Sequence, residues 1–266
     1  MTDKYNLSDK VAVVTGATAH IGKAVAHKLA SQGATVIVSG RNEEAGLETV
    51  KEIKSEGGAA HFEHADLTHA DQLEAMMSRV YEQFGQLNNL VVSGAGASSD
   101  SIAFKFFSDM SNDDINTYIK AHWLSRAFSV KAAYPYMVKS GGGKIVMIGS
   151  DAGRIATVGE SMIGGSIAGM MQMTRALARE FGRENIRINT VSMSFISDSI
   201  PRWGQGSKKL ESDGEKGGVL ENLKKRMLFD VKTTDIAEAV SFFSSAASDA
   251  ITGQTLSVNG GLSTPG

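Results

Sequence analysis

The sequence contains no cysteine. That excludes disulfides, thiolate metal sites and a cysteine nucleophile. It has little net charge: 27 basic against 29 acidic residues leave a formal charge of −2. Neither nucleic acid nor an anionic membrane surface is favoured as a partner. No uncharged apolar run reaches the about 20 residues a membrane-spanning helix needs. The polar start Met1-Thr2-Asp3-Lys4-Tyr5-Asn6 has no apolar signal core. A cytoplasmic, soluble protein is the expectation. Internal repeats, low-complexity tracts and linkers are missing too. The 266 residues, 42% of them hydrophobic, therefore read as one α/β domain with a large core.

What is present is an alternation of short apolar runs and amphipathic stretches. Val11 to Val14 reads as a buried strand, followed by a glycine turn and a helix carrying Ile21, Val25 and Leu29 on one face. Further strands are expected at 35–39, 59–65, 88–93, 144–148, 186–192 and 255–259. Long helices are expected at 113–138 and 160–181, with shorter ones at 43–56, 71–84 and 234–244. Alternation of this kind predicts a Rossmann-like, doubly wound, mainly seven-stranded parallel sheet with helices on both faces, in a single domain over 1–266. One stretch, 197–233, is polar and glycine-rich and reads as an irregular, lid-like insert. The segment Thr15-Gly16-Ala17-Thr18-Ala19-His20-Ile21-Gly22 is a strand–turn–helix junction of the sort that seats a phosphate at a helix N-terminus, or an ordinary turn of an α/β domain. The six histidines, His61 and His64 included, form no compact metal-ligand set with carboxylates.

Several segments together carry a resemblance to the short-chain dehydrogenase/reductase family, over essentially the whole chain. They are Thr15-Gly16 with Ile21-Gly22, Asp66-Leu67, Gly94-Ala95-Gly96, Ile148-Gly149-Ser150, Ile186-Arg187-Ile188-Asn189, and the tail from Thr252 to Gly261. The resemblance implies an oxidoreductase fold that binds a nicotinamide dinucleotide. Gly16, Thr18, His20, Ile21 and Gly22 would form the phosphate turn, with Asp66 and Leu67 at the adenine and Gly94, Ala95 and Gly96 beyond the fourth strand. His20 stands at the family's middle glycine, where an imidazole either obstructs the pyrophosphate or donates to it. Arg41 stands where an acidic residue would bind a free ribose hydroxyl. A guanidinium there matches a 2′-phosphate, favouring NADP(H); the alternative is a solvated arginine at a helix start.

The other half of the family site departs from the pattern. Counting from Ser150, the tyrosine position is Ile163 and the lysine position Ile167, with Ala168-Gly169 fixing the register. Isoleucine neither carries a proton nor binds ribose. The family asparagine of the fourth helix falls at His122, its Pro-Gly at Met193-Ser194, and its carboxamide threonine near Asp198. Of the family's catalytic group only Ser150 remains. His122 is the candidate replacement acid, since histidine titrates near neutrality, or else a packed interface residue; Asp151, Glu160 and Ser161 lie near the same edge.

These losses lead to the expectation of a non-catalytic subunit that supports an active relative. The assembly would be a hetero-oligomer, expected to be a tetramer packed through the two long helices, as occurs in the family. Any nucleotide would then be held by its adenosine end. The alternatives are an NADP(H)-dependent carbonyl reductase or alcohol dehydrogenase with His122 as acid, a non-redox enzyme on the same scaffold, or a dinucleotide-binding module.

Overall fold

The computed structural model describes residues 3–95, 105–202 and 225–264. Seven strands, β1 (Val11–Thr15), β2 (Thr35–Gly40), β3 (Ala59–His64), β4 (Asn89–Val92), β5 (Gly143–Ser150), β6 (Ile186–Met193) and β7 (Thr255–Val258), form one parallel sheet in the order 3-2-1-4-5-6-7. The expected sheet is therefore present. Its central strands are near-continuous apolar runs because both of their faces are covered.

The period of two along β1 sorts the core into two halves. Ala12 and Val14 face one half, with Val25 and Leu29 of α1 (His20–Ser31), Ile53 of α2 (Glu43–Ser55) and Ile236 and Val240 of α7 (Thr233–Ser244). Val11 and Val13 face the other, with Leu73 and Met76 of α3 (Ala70–Phe84), Met137 of α5 (Ser125–Lys139) and Met170 of α6 (Ser161–Glu180). Local signals set the helix ends. Asn42 accepts a hydrogen bond from the Ala45 amide at 3.1 Å ahead of Glu43 and Glu44. Gly85 closes α3 in the left-handed conformation, φ +71°.

The helix expected at 113–138 is not continuous. It comprises α4 (Asn112–Ile119), a π-turn (Lys120–Leu124) and α5. The wide turn loosens the backbone ladder, and side chains complete it. The Ala121 carbonyl accepts from Ser125 Oγ at 2.6 Å, and that of His122 from Arg126 Nη1 at 2.8 Å. π-Turns inside helices are frequent at functional sites. Within the expected insert at 197–233, Ser197–Arg202 forms a 3₁₀ turn, while 203–224 lies outside the described residues. No helix among the described residues is long and apolar enough to cross a membrane.

The strand order reverses between β1 and β4, which opens a crevice at the carboxyl ends of these strands. Thr15 joins them there, its hydroxyl donating to the Ser93 carbonyl and accepting from the Ser93 amide. Further along the same edge Asp151 fastens three strands. Its carboxylate accepts from Ser192 and Ser194 on and after β6, from Ser257 on β7, from Asn259 Nδ2 at 2.6 Å and from Ser263. Burial pushes the Asp151 pKa up, but the bonds from Ser192, Asn259, Ser257 and Ser194 outweigh it and hold the carboxyl below its usual value. Asp151→Ala, which strands these donors in a buried place, is expected to lower unfolding free energy by at least about 3 kcal/mol in urea titration. A loss under about 1 kcal/mol would mean that the knot does not fasten the sheet edge.

Candidate active site

The turn after β1 has no room for side chains at two places. Gly16 has φ +61°, and a Cβ there would lie 2.7 Å from the Ser93 carbonyl oxygen. A Cβ on Gly22 would overlap the Gly16 carbonyl. α1 can therefore start close against the sheet. No side chain caps its N-terminus and its first turn has no acidic residue, which leaves the positive end of the helix dipole toward the crevice. His20 occupies the left-handed region at φ +48°. The conformation suits the glycine that the resemblance expects there and costs a histidine about 1–2 kcal/mol. Its Nδ1 lies 3.2 Å from Ser199 Oγ, so the imidazole is tied across the turn.

A single cleft of about 650 Å³ runs from this turn along the sheet edge. At one end are Gly16, Thr18, His20, Ile21 and Gly22, with Arg41 and Leu67; Gly94, Ala95 and Ser150 follow; at the other end are His122, Ile163 and Ile167. Asp66 is not on the wall. Its carboxylate accepts from the Thr68 amide and hydroxyl, both at 2.8 Å, and stands 3.9 Å from the half-exposed Arg41 guanidinium. Gly96 lies outside the described residues. Asp198 faces away from this chemistry, accepting from the Thr233 amide and hydroxyl.

Two further ionisable side chains line the inner end, Arg126 and Glu160. Arg126 is 4% exposed with no carboxylate partner among its hydrogen bonds. It donates through Nη2 to the Ile148 carbonyl at 3.0 Å and through Nη1 to that of His122. Burial lowers its pKa to about 10, so it is a cation at neutral pH. Glu160 immediately precedes α6 and is 7% exposed. Burial raises its carboxyl to about 7, against a hydrogen bond with Thr157 that lowers it. His122 stacks on Tyr118, centroids 6.1 Å apart, and its buried Nε2 has no hydrogen-bond partner.

His122 cannot be the acid that the sequence suggested. Burial, with the Arg126 charge as the second cause, lowers its pKa to about 3, so the ring is neutral at physiological pH. Asp151 is no better placed, because its lone pairs are spent on the sheet edge. Among the described residues no group of three His, Asp or Glu side chains could hold a metal ion.

The fold has known relatives. A family model described as Enoyl-(Acyl carrier protein) reductase matches residues 16–263. The 3-oxoacyl-[acyl-carrier-protein] reductase FabG of Vibrio harveyi is 31% identical, over 97% of this chain and 98% of its own length. This chain belongs to the short-chain dehydrogenase/reductase family. The corresponding reductase of Escherichia coli strain K12 is 30% identical over 97% of this chain and 98% of its own. A solved 7 alpha-hydroxysteroid dehydrogenase, complexed with NADH and 7-oxo glycochenodeoxycholic acid, superposes with a TM-score of 0.84 at 29% identity, covering 98% of this chain and 97% of that one.

Against the short-chain dehydrogenase/reductase pattern, the expectation of a non-catalytic subunit is corrected. The relatives are named as reductases and dehydrogenases, and the cleft that this chain shares with its family is not emptied of charge. Ile163 and Ile167 do line it, but so do Glu160, immediately before α6, and Arg126, four residues beyond His122. The expectation that only the adenosine end keeps ligands omitted this guanidinium. The only sequence signal was nearness: Glu160 stands three residues before Ile163, and Arg126 four after His122.

The neutral state of His122 makes a pH test. With the folded pKa near 3 and the unfolded one near 6.5, the unfolded chain binds more protons between them, so stability falls as pH drops from about 6.5 toward 3. The difference in unfolding free energy between His122→Gln and the parent should therefore shift in the variant's favour as pH is lowered across this window. Nitrogen NMR of the His122 ring should find no titration between about pH 5 and 8; a midpoint near 6.5 would refute the assignment.

Proposed function

We propose that this chain is an NADP(H)-dependent oxidoreductase that interconverts a ketone and its secondary alcohol. The observation that carries the reading is the unbroken cleft, which joins an uncapped helix N-terminus at one end to three buried ionisable side chains at the other. The groups present suit a nicotinamide dinucleotide. The α1 N-terminus and the Gly16–Gly22 turn would hold the pyrophosphate. Arg41, beside the opening, would pair with a 2′-phosphate, while Asp66 is already engaged by Thr68 and does not compete strongly for it. Arg126 would take the part of the missing lysine beside the nicotinamide ribose. When bound, the reduced nicotinamide supplies hydride to the carbonyl carbon.

The residues of the chain account for the rest of the chemistry. Ile163, Ile167 and Met193 make the substrate end apolar and exclude water from the reacting carbonyl. The fixed Arg126 charge stabilises negative charge that develops on the carbonyl oxygen. The relatives named above support an oxo substrate: one group reduces 3-oxoacyl chains, and the steroid enzyme was solved with a 7-oxo compound.

Purified protein is expected to oxidise NADPH in the presence of a 3-oxoacyl thioester or a 7-oxo steroid. Arg41→Ala should raise the KM for NADPH by about 10–100-fold, the equivalent of one or two lost charge-assisted hydrogen bonds, and leave NADH kinetics unchanged. No consumption of either nucleotide with any ketone would overturn the oxidoreductase reading. Equal losses for NADPH and NADH would overturn the assignment of Arg41 to a 2′-phosphate.

A further inference from the structure

The family reaction needs a proton at the carbonyl oxygen, and neither Ile163, His122 nor Asp151 can give one at neutral pH. One group on the wall of the cleft can. We propose that Glu160 is the catalytic acid–base residue of this chain, donating its carboxyl proton to the substrate carbonyl oxygen from the cleft wall three residues before the lost tyrosine. The proposal rests on the oxidoreductase reading above and supplies its missing step.

Geometry comes first. Glu160, the residue immediately before α6, and Ile163 and Ile167 on the first two turns of that helix all line the cleft. The carboxyl of Glu160 and the side chain of residue 163 therefore border one cleft. Apolar neighbours set its protonation. Glu160 is 7% exposed, and the desolvation that follows holds the proton on up to a pKa of about 7. A general acid is most effective when its pKa lies near working pH.

The surrounding charges leave this poise intact. From the helix packed against α6, Tyr118 faces Glu160; its phenol is raised by its own burial and then by Asp114 and Glu160, so it stays neutral. His122, the next turn along, is neutral. Asp114 at the start of α4 is paired with Lys105 at 2.6 Å. Arg126 bonds to the backbone carbonyls of Ile148 and His122 and does not contribute to the Glu160 shift. Thr157, hydrogen-bonded to the Glu160 carboxyl, is itself exposed. It gives the proton a way back from solvent.

The step balances. As hydride arrives at the carbon, the π pair of the carbonyl closes an O–H bond with the carboxyl proton. The products are the alcohol and the Glu160 carboxylate, which is reprotonated through Thr157. In alcohol oxidation the carboxylate accepts the same proton. Reduction therefore needs the protonated form and slows as pH rises through about 7, whereas oxidation gains over the same range.

Two measurements test this. The first is carbon NMR of glutamate carboxyls in the intact protein, comparing the parent with Glu160→Gln to assign the resonance; it reads the carboxyl without any turnover. A midpoint within about one unit of 7 is expected, and a midpoint below about 5 overturns the proposal. The second is steady-state ketone reduction against pH. Glu160→Gln should lose about 10²–10⁴-fold in kcat with NADPH affinity within twofold of the parent, and Glu160→Asp should recover part of the rate. Loss of less than tenfold in Glu160→Gln overturns Glu160 alone and leaves the oxidoreductase reading standing. A carboxyl titrating near 7 in a parent protein that reduces no ketone overturns that reading, and the catalytic role of Glu160 with it.

Discussion

The carboxylate of Asp151 is the fixed point of this molecule. A parallel sheet has no hairpins to hold its strands in register, so the carboxyl edge, where the loops leave for the site, must be fastened by other means. Here one buried side chain gathers donors from β6, β7 and the tail onto the end of β5. Its charge is tolerable only because the donors outweigh the desolvation. Ser150 precedes it, and the segment leading to Glu160 follows it. The position of both therefore depends on a knot that has no role in proton transfer.

At the inner end of the cleft the balance is reversed. Arg126 keeps its charge with only neutral carbonyls as partners, whereas His122 and Glu160 avoid charge by giving up or keeping a proton. Desolvation is the first cause of all three outcomes, and at His122 the Arg126 charge adds to it. In water a glutamate would be ionised at pH 7 and a histidine partly protonated. Burial therefore moves the protonation of both away from what water would give.

The architecture was largely legible in the sequence because it is written in patterns of period two and near four. All seven strands fall where the apolar runs put them, and α6 (161–180) lies within one residue of its expected ends at 160 and 181. The glycine turn between β1 and α1 was also readable, since it is local in the chain. The π-turn was not: it changes hydrogen-bond register without changing composition, and the same residues would serve a straight helix. For His122 the sequence left open a replacement acid or a packed interface residue, because its pKa is a property of packing. Arg126 was overlooked for the same reason, as an arginine on a helix looks solvent-facing until the structure buries it.

What separates an emptied active site from a rebuilt one is the cost of its buried polar groups. A cleft without chemistry gains nothing from holding a guanidinium at 4% exposure or a carboxyl at 7%; each loses hydration that apolar residues of similar size would not need. Such groups are destabilising relative to a hydrophobic substitute unless they have a use, and strongly shifted ionisable groups in a cleft are frequent where proton transfer occurs. Here the two stand in the same cleft as the glycine turn after β1. Two isoleucines remove the familiar acid. On the reading proposed above, the surviving polar groups, inconvenient for stability and convenient for chemistry, mean that its task was moved to the residue before α6 and not abandoned.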